Sequence, residues 1–335
     1  MLICRTPLRI SFFGGGTDFP HWYKENKGMV IATSINKYCF LTLRRLAPVF
    51  NYKYKLRYFN NEEVTKINDI KHNSIRESLK KFHKSKMGLE LIYNADLPAK
   101  TGLGSSSAFS VSLIHTLNCL NNKLISKREI ALEAINLEQN ILNEHVGSQD
   151  QFTCAFGGLN TIRFNSKGID VSPIIIEPTR VHRLFNHCVL FYTKSRRYAE
   201  KVEKDKIKNL SKIKSHLQNI YSLSLEANKI IHHKKKFIRE FGKLMHESWL
   251  IKKSLSKYVS NKNFDEIYNF AIKKGALGGK LLGAGGGGFF LFIVPNLRIK
   301  TELINALTLK GLPNIKFNID NTGSQIIYHK DSDDY

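Results

Sequence analysis

The stretch from Asp96 to Leu117 constrains the fold more than any other part of this sequence, because a loop rich in glycine and serine runs directly into an apolar, helix-like segment. The first turn of a helix offers free backbone N–H groups and the positive end of the helix dipole to an anion. Gly102 and Gly104 lack a Cβ, so the backbone there can close on a phosphate group. The pattern predicts either a cradle for nucleotide phosphates or an ordinary capped turn before a core helix.

Three consecutive serines follow these glycines, and their hydroxyls can cap the helix, bind phosphate oxygens or ligate Mg²⁺. No Gly-Lys-Ser or Gly-Lys-Thr follows the glycines, as a Walker A loop requires, and the glycine spacing differs from that of a Rossmann fingerprint. If the loop binds ATP, it does so in another fold.

The chain has 335 residues, of which 42% are hydrophobic, and this is enough for two globular domains or one large domain. No apolar run is long enough to span a bilayer, and the N-terminus has no apolar segment of signal-peptide type. The five cysteines are scattered, without the spacing of a zinc site or a disulfide framework. We therefore expect a protein of the reducing cytoplasm that does not insert into membranes.

A net charge of +24 is typical either of a nucleic-acid-binding protein or of a protein that attracts anionic small substrates. The lysines and arginines are spread over several segments between residues 37 and 262 and form no single patch in the sequence. No motif of aromatic and basic residues accompanies them, so we expect small anionic substrates and no nucleic acid.

The order of patterns along the chain predicts alternating strands and helices. Residues 29–46 look like two paired strands, residues 89–95 like a strand that feeds the glycine and serine loop, and residues 108–120 like the helix behind it. A second helix is predicted over residues 127–142, with Glu138 near its end. The composition becomes rich in lysine after the middle of the chain, which places a domain change near residue 185, with domains over residues 1–185 and 186–335.

Two aspartates stand next to glycines. Asp18 ends the turn that begins with three glycines at Gly14, and Asp150 lies in a stretch predicted to be irregular, between Gly147 and Gly157. Asp18 can accept hydrogen bonds from sugar hydroxyls, and Asp150 can take a proton from a substrate hydroxyl. Either side chain can equally cap a turn or a helix. A second glycine-rich run, residues 275–288, precedes an apolar strand and indicates a close approach of backbone rather than a flexible linker.

Four segments resemble, in order, the motifs of the GHMP kinases, a superfamily named after galacto-, homoserine, mevalonate and phosphomevalonate kinases. The segments cover residues 7–18, 97–108, 147–151 and 282–289. The second resembles the ATP-phosphate loop of that family, and the third resembles its segment with the catalytic aspartate. The resemblance extends over nearly the whole chain and implies an α/β (α+β) fold of two domains, a ribosomal-protein-S5-like N-terminal domain and a ferredoxin-like C-terminal domain with the site between them.

The resemblance also implies roles for single residues. Asp150 would act as the catalytic base or orient the attacking hydroxyl, and Arg9, the second catalytic residue, would lie near Asp150 and the transferring phosphoryl group. Ser106 and Glu138 would ligate the Mg²⁺ that accompanies ATP. The residues expected to bind ATP are Lys100, Gly102, Leu103, Gly104, Ser105, Ser106 and Ser107. The residues expected to bind the sugar are Gly15, Gly16, Thr17 and Asp18.

Within the superfamily, the Gly-Gly-Gly-Thr-Asp turn, the Ser-Gln-Asp-Gln segment and Trp249 followed by two lysines are most similar to the heptose 7-phosphate kinases. These enzymes phosphorylate the anomeric hydroxyl of the sugar phosphate for the synthesis of GDP-heptose and surface glycans. A sugar that carries its own phosphate needs cations, and the candidates are Arg197, Lys253 and Lys280. The alternatives are a kinase for another sugar such as fucose, or a non-catalytic sensor of sugar or ATP. The oligomeric state is expected to be a monomer or a homodimer.

Overall fold

The computed structural model describes residues 1–85, 87–195, 202, 205, 210–233 and 237–330, and within these residues the chain forms two β-sheets with helices packed on them. Arg197 lies outside the described residues. The strands are β1 (Leu2–Phe13), β2 (Gly28–Leu46), β3 (Tyr54–Arg57), β4 (Asn61–Val64), β5 (Gly88–Ala95), β6 (Leu159–Asn165), β7 (Gly168–Pro173), β8 (Cys188–Tyr192), β9 (Gly278–Leu281), β10 (Phe289–Ile293) and β11 (Gln325–His329).

The helices begin with α1 (Pro20–Tyr23), α2 (Asn73–Phe82), α3 (Ser105–Leu120), α4 (Lys127–Ile135), α5 (Gln149–Phe156) and α6 (Pro178–Asn186). They continue with α7 (Leu210–His233), α8 (Phe237–Ser254), α9 (Lys262–Lys273) and α10 (Leu297–Leu309). A 3₁₀ turn covers Ile67–Asp69, and a π-helical segment, Asn136–Ile141, extends α4. No described helix has both the length and the apolar character that crossing a membrane requires.

The larger sheet joins the two ends of the chain. In the described residues it has eight strands in the order β11-β1-β2-β5-β3-β4, with β6 paired to β2 and β7 paired to β6. The pairing of β3 with β5 is parallel, and the other pairs are antiparallel. Because β11 pairs with β1, the last described strand belongs to the sheet of the N-terminal half. The boundary after residue 185 stays a prediction.

The prediction of two paired strands over residues 29–46 is wrong, since the structure has one long strand there. Its first part pairs with β6 and its second part with β5, while β1 runs along both. The register with β1 shifts where Pro7 lies opposite Tyr38 and Leu8 lies opposite Ile35. Asn36 and Lys37 are therefore accommodated in a bulge, which bends a strand without ending it.

Helix α3 follows the glycine and serine loop and is packed into the core on two sides. Ala108, Val111 and Ile114 pack into the main core, while Leu113 and Leu117 pack into a second cluster on the other side of the helix. Burial on several sides explains why this segment is apolar almost all round rather than striped. The predicted strand over residues 89–95 and the helix over residues 108–120 are confirmed, and the helix begins three residues earlier at Ser105.

The smaller sheet has the order β8-β10-β9 in the described part of the chain, and all its pairs are antiparallel. Every residue of β10 is buried. Trp249 of α8 and Tyr268 of α9 pack on Phe290, so aromatic rings fill the space between this sheet and its helices. The chain between β9 and β10 is thereby held at the edge of the second sheet, facing the start of α3. Two packed α/β units in one chain confirm the predicted fold class.

Candidate active site

The loop from Lys100 to Ser107, called the phosphate loop below, enters α3 through two glycines in left-handed conformations. Gly102 has φ +90° and Gly104, the N-cap of α3, has φ +73°. A glycine at the N-cap offers no side-chain acceptor, so no side-chain cap bonds the first-turn N–H groups of α3. Ser105 and Ser107 are buried, whereas Ser106 is exposed at the start of the helix. This arrangement is suited to a phosphate group.

The segment from Leu282 to Gly288, called the C-terminal glycine segment below, packs directly on the phosphate loop. A Cβ built on Gly102 would lie 2.6 Å from the carbonyl oxygen of Leu282, and one on Gly288 would overlap the carbonyl oxygen of Thr101. The N–H of Phe289 donates to the same Thr101 oxygen at 3.2 Å. The glycines of both segments are therefore required by close contact of two backbones, as the second glycine run predicted.

Arg9 and Asp150 form an ion pair beside this loop. Nε of Arg9 donates to Oδ1 of Asp150 at 2.7 Å, and Nη2 donates to Oδ2 at 2.6 Å. The third donor, Nη1, bonds the carbonyl oxygen of Gly102 at 2.5 Å. Burial is the largest single effect on the guanidinium and lowers its pKa, but the charge of Asp150, its hydrogen bonds and smaller contributions from Cys154 and Asp18 together raise the pKa above its usual value. The side chain of Arg9 is 3% exposed and that of Asp150 is 21% exposed, so the carboxylate remains open to a reactant.

Asp150 lies in the first turn of α5, so the prediction of an irregular stretch around it is wrong. Helix α5 begins after Ser148 and ends before Gly157, which has φ +75°, and the burial of six of its eight residues stabilises it. A short helix fixes the carboxylate more firmly than a loop does, which favours a role that depends on position.

Asp18 is 1% exposed and is held by the segment next to Asp150. Its carboxylate accepts hydrogen bonds from the backbone N–H of Gly16 at 2.9 Å and from Nε2 of Gln149 at 2.9 Å. Gly147 has no room for a side chain, because a Cβ there would overlap the Asp18 carboxylate. Burial raises the pKa of Asp18 to about 6, and the nearby charge of Asp150 adds to this shift.

Two buried polar atoms beside Asp18 have no hydrogen-bond partner among the described residues: Oε1 of Gln149 and Oγ of Ser11. Because Nε2 of Gln149 faces the Asp18 carboxylate, the amide oxygen must point the other way. A Cβ on Gly15 would lie 3.6 Å from the Gln149 amide nitrogen and 3.8 Å from the Ser11 hydroxyl. Gly15 thus leaves a small space between these two groups, and unsatisfied acceptors at its edge suit a hydroxyl-rich ligand.

Glu138 lies in the π-helical segment that extends α4, and its side chain is buried. Oε2 accepts from Oγ of Ser107 at 3.0 Å and from Nε2 of Gln151 at 2.5 Å, whereas Oε1 has no hydrogen-bond partner among the described residues. Burial raises the pKa of the Glu138 carboxyl to about 7. Within the phosphate loop, the hydroxyl that bonds Glu138 is thus that of Ser107, the neighbour of Ser106, and a hydrogen bond from Ser110 of α3 also lowers the pKa of this carboxyl.

The cations expected to bind a substrate phosphate are placed differently from one another. Nζ of Lys280 is buried and donates to the carbonyl oxygen of Phe12 at 2.9 Å, just before the Gly14–Asp18 turn. Lys253 makes a partly exposed ion pair with Asp265 at 3.1 Å. Lys252, which was not predicted as a site residue, is buried and donates to the carbonyl oxygens of Leu281 and Gly283.

The structure therefore brings Arg9, Asp150 and the phosphate loop into direct contact, and joins Asp18 to them through Gln149. Four further residues of the site were not predicted from the sequence: Gln149, Gln151, Ser11 and Lys252. The two glutamines could have been found from the sequence, because they flank Asp150 in a Gln-Asp-Gln triplet. Neighbouring residues on a helix point in different directions, so the glutamine side chains leave the helix on other sides than Asp150 does.

Comparison with protein families gives two matches that follow each other along the chain. Residues 72–158 match the GHMP kinases N terminal domain, and residues 230–311 match the GHMP kinases C terminal domain. The first match contains the phosphate loop, Glu138 and Asp150, and the second contains α8, α9 and the C-terminal glycine segment.

Among curated proteins, the chain is 32% identical over 315 residues to the D-glycero-alpha-D-manno-heptose 7-phosphate kinase of Campylobacter jejuni, covering 90% of this chain and 92% of that protein. It is 25% identical to the bifunctional fucokinase/GDP-fucose pyrophosphorylase of Arabidopsis thaliana, covering 89% of this chain but 30% of that protein. A solved structure of a D-glycero-D-manno-heptose 1-phosphate kinase from Bacteroides thetaiotaomicron superposes with a TM-score of 0.78 at 20% identity, covering 98% of this chain and all of that one. At that identity the last match shows a shared fold.

Proposed function

Starting from the premise that the chain belongs to the GHMP kinases, a family of sugar and small-molecule kinases, we propose that it transfers the γ-phosphoryl group of ATP to the anomeric hydroxyl of D-glycero-D-manno-heptose 7-phosphate. The product would be the 1,7-bisphosphate, a precursor of GDP-heptose and of surface glycans. The observation that carries the proposal is the Arg9–Asp150 pair, whose carboxylate is partly open and lies directly beside the phosphate loop. The 32% identical heptose 7-phosphate kinase supports the choice of sugar.

In the proposed reaction the anomeric oxygen forms a bond to the γ-phosphorus, and the bond from that phosphorus to the β–γ bridging oxygen of ATP breaks. ADP leaves with the electron pair, and the hydroxyl proton passes to Asp150. Arg9 binds both carboxylate oxygens, so the carboxylate cannot rotate and its remaining lone pairs point to a fixed place. Phosphoryl transfer depends mainly on alignment and on charge neutralisation, and a fixed carboxylate supplies alignment.

The triphosphate is proposed to lie on the phosphate loop, against the free N–H groups of the first turn of α3. Those N–H groups and the dipole of a 16-residue helix stabilise negative charge without moving during the reaction. The residues proposed to contact the triphosphate are Lys100, Gly102, Leu103, Gly104, Ser105, Ser106 and Ser107. Lys100 adds a cation at the entrance of the loop.

Glu138 and Ser106 fit the Mg²⁺ that accompanies ATP. A buried carboxylate oxygen without a hydrogen-bond partner among the described residues is costly unless a cation or a donor reaches it, and Oε1 of Glu138 is such an atom. Mg²⁺ takes few protein ligands and keeps waters and phosphate oxygens, which suits one carboxylate and one hydroxyl. When bound, the ion would neutralise charge on the β- and γ-phosphates. Ser107 and Gln151 hold Glu138 in place for it.

The sugar is proposed to lie over the Gly14–Asp18 turn. Asp18 accepts hydrogen bonds from sugar hydroxyls, and the backbone of Gly15, Gly16 and Thr17 shapes the floor of the site. Oε1 of Gln149 and Oγ of Ser11 are buried polar atoms that sugar hydroxyls would satisfy. A polyol therefore stabilises this pocket in a way that an apolar ligand does not.

The 7-phosphate of the sugar is proposed to be bound by Lys280, Lys253 and Arg197. Lys280 is buried next to the carbonyl oxygen of Phe12 and so lies beside the Gly14–Asp18 turn. Lys253 would have to exchange its contact with Asp265 for the substrate phosphate. If the pocket holds a neutral sugar, Lys280 and Lys253 keep their present contacts, and a fucose-type substrate becomes the second candidate. The 25% identical fucokinase/GDP-fucose pyrophosphorylase is consistent with that alternative.

We also propose that the enzyme acts in the cytoplasm, as a monomer or a homodimer. Both proposed substrates are phosphorylated, so the net charge of +24 is suited to attracting them, and no nucleic-acid partner is needed to explain it. A mobility-shift experiment with random duplex DNA tests this point: binding that persists at about 0.15 M salt and weakens steeply as salt is added would indicate a nucleic-acid partner, and no binding is expected.

The proposal is tested by coupled ADP release with Mg²⁺-ATP and a panel of sugars: the heptose 7-phosphate, the unphosphorylated heptose, L-fucose and galactose. Turnover confined to the heptose 7-phosphate, and lost in Asp150→Asn, is the expected result. Turnover with a neutral sugar would exclude the proposed site for the 7-phosphate. Absence of turnover with all four sugars would favour a non-catalytic sensor.

A further inference from the structure

Two neighbouring lysines at the end of α8 have different environments, and the buried one contacts the C-terminal glycine segment. Lys253 is partly exposed and pairs with Asp265, whereas Lys252 is 7% exposed. We propose that Lys252 is a positioning residue, which holds the C-terminal glycine segment against the phosphate loop and thereby sets the affinity for ATP. The inference rests on the proposed ATP-dependent function and deepens it.

The ammonium group of Lys252 bonds the backbone at the start of this segment. Nζ of Lys252 donates to the carbonyl oxygens of Leu281 and of Gly283, both at 2.6 Å. These carbonyls belong to the residues immediately before and after Leu282, so the chain is tied to α8 on both sides of Leu282. Hydrogen bonds from a charged donor are short and strong, and two of them from one buried ammonium restrict the segment on both sides.

Leu282 contacts the phosphate loop. The carbonyl oxygen of Leu282 lies against Gly102, so closely that a Cβ on Gly102 would be 2.6 Å from it. The carbonyl oxygen of Gly102 in turn accepts from Nη1 of Arg9 at 2.5 Å. Gly102 is therefore packed between the segment that Lys252 holds and the arginine that holds Asp150. A shift of the C-terminal glycine segment would displace the phosphate loop first. Two backbones in direct contact cannot adjust as a flexible side chain can.

The test compares Lys252→Met with Lys252→Arg and with Lys243→Met, a matched change on the same helix. Lys243 is 60% exposed and faces Glu240, so its loss should leave both substrates' constants as in wild type. Loss of the Lys252 bonds should raise the Kd and the KM for ATP about 10- to 100-fold, the range for hydrogen bonds to charged groups. The KM for the sugar should change by less than about threefold, and Arg should restore most of the ATP affinity because it keeps charged donors.

A lower melting temperature of Lys252→Met with an unchanged KM for ATP would overturn the inference, since the lysine would then only stabilise the fold. An increase confined to the KM for the sugar would also overturn it and would make Lys252 a sugar ligand. The Kd for ATP is measured by calorimetry without sugar. If wild-type protein binds ATP but turns over no sugar, the substrate proposal fails while the test of Lys252 remains valid.

A measurement on wild-type protein covers the case in which Lys252→Met does not fold. Amide hydrogen exchange is followed with and without a non-hydrolysable ATP analogue. Protection is expected in residues 100–107 and also in residues 281–289, because the two segments are packed as one unit. Protection confined to residues 100–107 would contradict the inference.

Discussion

Replacing Gly104 by alanine should damage the candidate active site through Arg9. Gly104 has φ +73°, and a Cβ there would lie 2.8 Å from Cγ and 3.4 Å from Nε of Arg9, and 3.5 Å from Oδ2 of Asp150. The left-handed backbone alone costs alanine about 1–2 kcal/mol. Forcing a buried, fully bonded side chain to move adds roughly 1–3 kcal/mol. The sum predicts a loss of about 2–5 kcal/mol in the free energy of unfolding, which denaturant titration measures.

The matched control is Gly311→Ala. Gly311 has a similar φ of +81°, and the nearest atom to a Cβ there is Nζ of Lys194 at 3.9 Å. This variant should lose only the backbone part, about 1–2 kcal/mol, and keep full activity.

The kinetic consequence separates the two variants further. Arg9 cannot move from the new Cβ without moving the Asp150 carboxylate that it binds at two points. A displacement of about 1 Å in a reacting group costs on the order of 100-fold in rate, so kcat of Gly104→Ala should fall by about that factor in the ADP-release assay. Stability and kcat of Gly104→Ala equal to those of Gly311→Ala would refute the argument that Arg9 is confined by the phosphate loop.

Three further predictions concern the carboxylates. Asp150→Asn should lower kcat by about 10²- to 10⁴-fold in steady-state assays and leave ATP binding in place, since the amide still accepts from Arg9 but takes up no proton; unchanged kcat would remove Asp150 from the chemistry. Glu138→Gln should raise the Mg²⁺ concentration for half-maximal activity by about 10- to 100-fold in a metal titration at fixed ATP, and an unchanged titration would move the ion elsewhere. The pKa of Asp18 is raised to about 6, with Asp150, Arg9 and Tyr23 as the charged or titratable groups around it, so kcat/KM for the sugar should fall as the pH drops below about 6. Because this pKa lies above the usual 3.8, the folded state binds the proton at a higher pH than the unfolded state does. Protonation of Asp18 alone therefore stabilises the fold as the pH falls from about 6 towards 3.8. Melting curves at each pH should separate the loss of activity from unfolding.

The family, the fold class and the central loop were predictable from sequence because each leaves a local pattern. Gly102 and Gly104 before an apolar helix are visible as letters, and the structure gives both glycines the left-handed φ that other residues avoid. The domain matches and the 32% identical relative confirm the resemblance to the GHMP kinases. The roles assigned to single site residues stay predictions.

What the sequence could not supply are contacts set by tertiary packing. Nothing in two adjacent lysines tells which is buried, yet Lys252 grips the C-terminal glycine segment while Lys253 faces Asp265. The sequence around the bulge at Asn36 predicts a turn between two strands. Polar residues between two apolar runs have the same sequence pattern in a turn and in a bulge, and only the partner strand distinguishes the two. Likewise, Gly147 and Gly157 on either side of Asp150 indicated an irregular stretch, whereas the structure has a short helix that fixes the carboxylate.

The most direct test of the account is the position of the new phosphate in the product. Wild-type protein is incubated with Mg²⁺-ATP and D-glycero-D-manno-heptose 7-phosphate, and the product is analysed by ³¹P NMR with proton correlation, beside an Asp150→Asn control. The expected product has a second sugar phosphorus coupled to the anomeric proton, in addition to the 7-phosphate, and the control should form at least about 100-fold less of it in the same short incubation. A phosphorus coupled to any other sugar proton, or the same product formed by Asp150→Asn at the wild-type rate, would contradict the proposed reaction.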